Sequence, residues 1–239
     1  MCGIVGIYLK TKKFEKNLGR MLSGMLNNME SRGPDSAGFA IYKNEGNKIY
    51  KFSLCINNLN FNIFKKELSK KIKKIKLNQI SDHVILKTEE KPKKVLEILN
   101  LNFPEVSIVG YGKSIEIFKQ VGNPKDVVKK FKLRDFSGTH GIGHTRMATE
   151  SAITTDGSHP YSTGEDECLV HNGSLSNHNN LRRELTKKGN IFNSENDTEV
   201  AAGYVSHSLS NKKSLKDTLT SGLKDLDGFY TFITGTRKG

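Results

Sequence analysis

The chain opens Met1-Cys2-Gly3-Ile4-Val5-Gly6-Ile7-Tyr8, and the reading of this stretch decides the rest. Ile4 to Tyr8 is a short apolar, β-branched run holding one glycine, the pattern of a buried strand. Methionine-removing machinery accepts a small residue at position 2. Once Met1 is cut off, Cys2 is the first residue and its thiol lies beside its own free α-amine. Such an amine titrates at about 7.7–8.0, so much of it can accept a proton near neutral pH. An N-terminal amine that activates an adjacent nucleophile is a known arrangement in covalent catalysis. A cysteine at position 2 signifies little by itself, but one fixed at the head of a buried strand cannot fray as an ordinary terminus does.

Composition narrows the setting. With 239 residues the chain can build one large domain or two small ones around a sizeable core. Trp is absent, so that core must come from Ile, Leu, Val, Phe and Met. Lys+Arg is 38 against Asp+Glu 25, a net charge of +13. That balance would suit a nucleic acid. The lysines, however, fall in runs such as Lys65-Lys66, Lys70-Lys71 and Lys73-Lys74 without interleaved aromatics, and no recognition motif accompanies them. A solvated basic surface is the preferred reading, and no nucleic-acid partner is expected. Three widely spaced cysteines, Cys2, Cys55 and Cys168, make neither a disulfide framework nor a zinc site. The first apolar run ends at Leu9 before Lys10-Thr11-Lys12-Lys13, too short and with its charges on the wrong side for a signal peptide. No run approaches membrane-spanning length. A reducing, cytoplasmic location with no membrane partner is expected.

Following the first strand, Phe14, Leu18, Met21, Leu22, Met25, Leu26 and Met29 recur at helical spacing and predict an amphipathic helix with all seven in the core. Ser31-Arg32-Gly33-Pro34-Asp35 predicts a turn, and Ala37 to Tyr42 a second strand. Arg32 reads equally as structural or as lining a site. Residues 44–135 are the least informative third. They predict strands at 49–56, 83–86 and 106–111, and helices at 61–76, 92–100, 115–120 and 124–132. No internal repeat or low-complexity linker is found, and no phosphate-binding or flavin motif, so no cofactor is expected.

The polar residues then concentrate. Gly138 to Thr149 is too glycine-rich for a helix and reads as an extended strand. His140 and His144 lie four apart, a spacing that does not converge on a metal in extended chain, and no metal site is expected. Arg146, at the end of a buried strand, needs an anion, and a carboxylate gripped by both arms of the guanidinium is its best partner. A polar loop over 150–166 carries His159-Pro160. Cys168-Leu169-Val170-His171-Asn172-Gly173 is a strand ending in Asn-Gly, most often a turn signal. The Asn side-chain amide and the Gly N–H can also point at one developing oxyanion, and such a donor is typically worth about 2.7–4 kcal/mol in the transition state. Helices follow over 179–188, 200–209 and 214–226, with Asp197 as an N-cap that can also meet a substrate ammonium. Phe229 to Thr234 is a closing strand.

Taken together, Met1-Cys2-Gly3-Ile4-Val5-Gly6, Arg32-Gly33-Pro34-Asp35-Ser36-Ala37-Gly38, His144-Thr145-Arg146-Met147-Ala148-Thr149, His171-Asn172-Gly173 and Asn196-Asp197-Thr198-Glu199 occur in one order. In that order they resemble the class II glutamine amidotransferase domain, an N-terminal-nucleophile hydrolase. The resemblance covers both ends of the chain and leaves the middle third poorly matched. Within the family, the stretches Gly138 to Ala152 and Asn172 to Leu181 look most like the stand-alone glutaminase subunit of the glutamate-synthase type, including N-methylglutamate synthase.

The resemblance implies an α+β, four-layer αββα sandwich formed by a single domain over 1–239, with about 44–135 an insertion or subdomain. The family fold carries further strands after Ile233, so the chain is expected to be short at its C-terminus. It implies that Cys2 attacks the side-chain amide of L-glutamine and that its α-amine relays the proton. Asn172 and the Gly173 N–H would form the oxyanion hole. Arg146 would hold the substrate α-carboxylate and Asp197 its α-ammonium, with Gly33, Arg32 and the Thr149 region lining the pocket. Ammonia would then pass to a separate synthase subunit. Met147 stands where the aminosugar-synthase branch has Trp, which disfavours that acceptor. The alternatives are a glutaminase serving an amidophosphoribosyltransferase or aminosugar synthase, and a non-catalytic glutamine-binding subunit.

Overall fold

A computed structural model of the chain describes residues 2–57, 59–148 and 152–239. Its strands and helices follow along the sequence as β1 (Gly3–Tyr8), α1 (Leu18–Asn28), β2 (Ser36–Tyr42), β3 (Tyr50–Cys55), α2 (Phe61–Lys71), β4 (Lys76–Ile80), β5 (His83–Thr88), α3 (Pro92–Asn102), β6 (Ser107–Gly112), β7 (Ile115–Val121) and α4 (Pro124–Lys130). The remainder is β8 (His140–Arg146), β9 (Tyr161–Gly164), β10 (Glu167–Leu175), α5 (His178–Lys187), α6 (Asp197–Ser210), α7 (Leu215–Asp225) and β11 (Gly228–Gly235). Among the described residues no helix is long and apolar enough to cross a membrane.

Two antiparallel sheets form the centre, one ordered β1-β8-β2-β7 and the other β11-β10-β9. The layering follows from the two-residue period of the strands. In the first sheet Val5, Ala37, Phe39 and Ile41 point one way and pack with Leu18, Leu22 and Leu26 of α1 and Val127 and Val128 of α4. Burying each of those leucines contributes about 1.5–3 kcal/mol relative to exposure. Ile4, Ala40, Tyr42, Ile117 and Ile142 point the other way and meet Cys168, Val170 and Ile233 of the second sheet. On the far side of that second sheet, Leu169 and Leu175 pack with Leu181 and Leu185 of α5 and Val200 and Val205 of α6. The result is helices, sheet, sheet, helices: the αββα sandwich.

The middle of the chain builds a third antiparallel sheet, ordered β4-β5-β3-β6. It has a core of its own, where Phe52, Leu54, Val84 and Leu86 pack with Phe64 and Leu68 of α2 and Val95 and Leu99 of α3.

Four expectations need correction. Residues 115–120 are not helical but form β7, paired along its length with β2. Ile115 and Ile117 face the other sheet while Phe118 faces α1 and α4, and burial on both faces conceals the alternation. The helix from Phe61 stops at Lys71, and Lys76–Ile80 is an exposed edge strand. The helix before Arg32 is split, with a 3-10 segment over Lys12–Asn17 ahead of α1. Phe14 and Met21 are exposed rather than in the core, which leaves the stripe to its leucines.

Candidate active site

The ladder between β1 and β8 places the first elements of the site. Gly3 pairs with Thr145, so Cys2 and Arg146 emerge at the same end of the sheet. Cys2 is half-buried, with Sγ 3.8 Å from the Met147 carbonyl oxygen. Arg146 is 4 % exposed, and its Nη1 donates to the Ala152 carbonyl at 3.2 Å.

The second sheet supplies the opposite wall. β10 ends beside the start of α6, and Asn196, not Asp197, caps that helix by accepting from the Thr198 N–H. The expected capping role of Asp197 therefore falls to its neighbour, and Asp197 becomes the first helical residue with its carboxylate free to serve elsewhere. Its Oδ2 accepts from the Leu175 N–H at 2.8 Å. Burial alone would push its pKa up, but the nearby His171 ring and the Leu175 N–H hold the carboxyl below its usual range. Asp197 is therefore ionised at neutral pH.

Gly173 has φ +141°, and a Cβ built on it would lie 2.0 Å from the Phe229 carbonyl oxygen. Only glycine lets β10 pass β11 here.

Cys2, Arg146, Gly173 and Asp197 line one cleft of about 290 Å³, together with His159, His171 and Thr198. The other expected residues fall differently. Asn172 precedes Gly173 in β10, pairs with Thr231 and is half-buried, outside the set lining the cleft. Arg32 lies behind the nucleophile, where its Nε donates to the Cys2 carbonyl at 3.2 Å. Gly33 packs against the Thr145–Arg146 main chain. Thr149 lies outside the described residues.

At the cleft and beneath it is a cluster of histidines, His144, His159 and His171, whose mutual contacts the sequence did not show. His144 Nε2 donates to the His171 carbonyl at 2.8 Å and so ties the two sheets together. Facing a carbonyl, that nitrogen must carry the proton. The His144 and His159 rings stack at 3.8 Å between centroids. Thr198 Oγ1 lies 2.8 Å from His159 Nε2, 2.9 Å from His171 Nδ1 and 3.3 Å from Asp197 Oδ1. Burial holds the His144 pKa down at about 3 and that of His159 well below its ordinary value, so both rings are neutral. The motifs beginning at His144 and His171 were the signals that placed two of these rings near the site, and nothing in the sequence marked His159. Among the described residues no group of three His, Cys, Asp or Glu side chains is arranged to hold a metal ion. A thiol flanked by a guanidinium and an ionised carboxylate suits a zwitterionic amino acid with a reactive side chain.

Comparison with known proteins points the same way. Residues 134–233 match the family model described as a glutamine amidotransferase domain. The chain is 49 % identical over its whole length to a glutamine amidotransferase-like protein, GlxB, of Rhizobium meliloti (strain 1021), covering 80 % of that protein. It is 31 % identical, again over its whole length, to a putative glutamine amidotransferase of Methanothermobacter thermautotrophicus, covering 83 % of it. In fold it is similar to glutamine phosphoribosylpyrophosphate amidotransferase from B. subtilis, with a TM-score of 0.58 and 19 % identity; the match takes in 99 % of this chain and 35 % of that one. The motifs, the αββα sandwich and these relatives together show that the chain belongs to the class II glutamine amidotransferases.

Proposed function

We propose that the chain hydrolyses the side-chain amide of L-glutamine and supplies the ammonia to a separate synthase subunit of the glutamate-synthase type. The observation that carries this reading is the single cleft shared by Cys2, Arg146, Gly173 and Asp197. Arg146 grips the α-carboxylate and Asp197 the α-ammonium, so the amide carbon is brought to Sγ. After removal of Met1 the α-amine of Cys2 takes the thiol proton, and the Sγ–C bond forms. The oxyanion is met by the Gly173 N–H; Asn172, outside the lining of the cleft, is left out of this step. Collapse breaks the C–N bond, the proton passes to the leaving nitrogen, and ammonia departs. Water then attacks the thioester, releasing glutamate and restoring the thiol.

The similarity to GlxB, matched along the full chain, supports a subunit whose acceptor chemistry lies elsewhere. All three cysteines are free thiols, in keeping with a reducing, cytoplasmic setting. The test is glutamate release from L-glutamine by chain whose intact mass shows Met1 removed. Release is expected, and its loss in Cys2→Ala. Release that survives Cys2→Ala overturns the thiol mechanism. Tight glutamine binding without release marks a binding subunit instead.

A further inference from the structure

Residues 155–159, in the connection between β8 and β9, lead to His159 of the cleft and are seated on an unusual row of the first sheet. In that row Lys119 of β7 pairs with Gly38 of β2, and Gly38 pairs with His144 of β8. The row faces the layer between the sheets, two residues along from Ile117, Ala40 and Ile142 of that layer. At its centre there is no side chain. A Cβ on Gly38 would lie 2.2 Å from the His159 carbonyl oxygen, so the main chain of His159 occupies that space. On one side the His144 ring stacks on the His159 ring. On the other, Lys119, 5 % exposed, donates from Nζ to the carbonyls of Asp156 at 3.0 Å and Ser158 at 2.9 Å. Its ammonium also lies 4.6 Å from the Tyr161 ring centroid. Two lighter contacts hold the same segment from outside, Gln120 Nε2 on Thr155 Oγ1 and Ser107 Oγ on Asp156 Oδ2, both at 3.3 Å.

A buried ammonium bonded to carbonyls rather than to a carboxylate is a costly choice for a fold. An apolar side chain could fill the same volume but could not gather two carbonyls of one loop onto one point. We propose that Lys119 is a positioning residue of the glutamine cleft: it pins the main chain at 156–158, so that His159 and the Arg146 guanidinium, itself bonded to Ala152 of the same connection, are held in place for substrate. Lys119 is not among the described residues that line the cleft and acts through the loop. The proposal rests on the glutaminase reading above and deepens it.

The test is Lys119→Met in the full chain, set beside wild type. Glutamate release gives kcat and KM. Inactivation by iodoacetamide and by 6-diazo-5-oxo-L-norleucine, a glutamine analogue that alkylates thiols, separates the bare thiol from substrate recognition. The expected result is a rise in glutamine KM of about tenfold or more with kcat within about threefold, as for a misplaced binding group. The analogue should slow in proportion while iodoacetamide is unaffected. An unchanged KM, or both reagents slowed alike, overturns the proposal. If wild type neither turns over nor binds glutamine, the functional reading falls first, and this proposal with it. Should Lys119→Met fail to fold, the double variant Ser107→Ala/Gln120→Ala, which loosens the same loop from outside, replaces it. An increase in KM of about threefold would support the proposal and an unchanged KM overturn it.

Discussion

Arg32 Nε donates to the carbonyl oxygen of Cys2 across thirty residues of chain, at 3.2 Å. The guanidinium grips the nucleophile's main chain and so fixes where the thiol stands. Removing it with Arg32→Met should lower kcat by roughly 100-fold, the cost of about 1 Å of misplacement, with a smaller change in KM. Steady-state glutamate release separates the two. A KM effect with kcat intact would return Arg32 to the substrate-binding role expected from the motif.

The cleft's two charges should act on binding. Arg146→Lys keeps the charge but replaces a two-armed fork with a point. Asp197→Asn keeps an acceptor for the Leu175 N–H but removes the charge. A charged hydrogen bond is worth about 1.5–3 kcal/mol, so each variant should weaken glutamine binding by roughly 10- to 100-fold. Calorimetric titration of glutamine into a Cys2→Ala background measures this without turnover, and unaltered affinity in either variant would remove that residue from the substrate.

Gly173 should tolerate no side chain. The positive φ and the 2.0 Å approach of the Phe229 carbonyl mean that Gly173→Ala must displace β11 or twist β10. Backbone strain of this kind costs on the order of 1–3 kcal/mol. Urea unfolding should show that loss together with the disappearance of glutaminase activity. Wild-type stability in the alanine variant would contradict the close approach.

The buried histidines make stability depend on pH. In the fold His144 titrates at about 3 and His159 also well below normal, whereas both titrate near about 6.5 when unfolded. Between those values the unfolded chain binds more protons, so stability must rise with pH there and fall as the solution is acidified below about 6.5. The slope is about 1.4 kcal/mol per pH unit for each ring. Thermal melts at pH 7.5, 6.5, 5.5 and 4.5 should show a steady decline, and a level melting temperature down to pH 4.5 would show that the rings are charged or solvated.

Alkylation should be selective. Burial pushes the Cys168 thiol up to about 12 and raises that of Cys55, and both residues are 1–2 % exposed. Iodoacetamide at pH 7.5 should therefore add one label to the native chain and none to Cys2→Ala. A second label would mean that the inner layer opens readily.

Much of this architecture could be read from the residues, and the failures have physical causes. Gly3 to Tyr8, Ser36 to Tyr42 and His140 to Arg146 were legible as strands because glycines and β-branched residues exclude helix over short spans. Ile115 to Val121 was not, because Lys119 sits at an inward position that the alternation assigns to an apolar residue. The polar edge strand Lys76–Ile80 borrows its order from its pairing with β5. In the site, Cys2, Arg146, Gly173 and Asp197 carry their chemistry in residue type and spacing, so the motifs revealed them. His159 and Thr198 lie 39 residues apart and meet through one hydroxyl. No local pattern encodes such a contact.

The β1–β8 ladder has a consequence for how such a chain can be altered. Gly3 faces Thr145 and Tyr8 faces His140, so the thiol's reach is set by counting residues along two strands. Inserting or deleting a single residue in either would turn every side chain to the wrong face and carry Cys2 away from Arg146. The connection from β2 to β7 obeys no such count. It already accommodates a whole extra sheet over residues 50–112 without touching the register of the first. Novelty in this scaffold is thus free to accumulate at that connection, while the strands that carry the chemistry admit change only one side chain at a time.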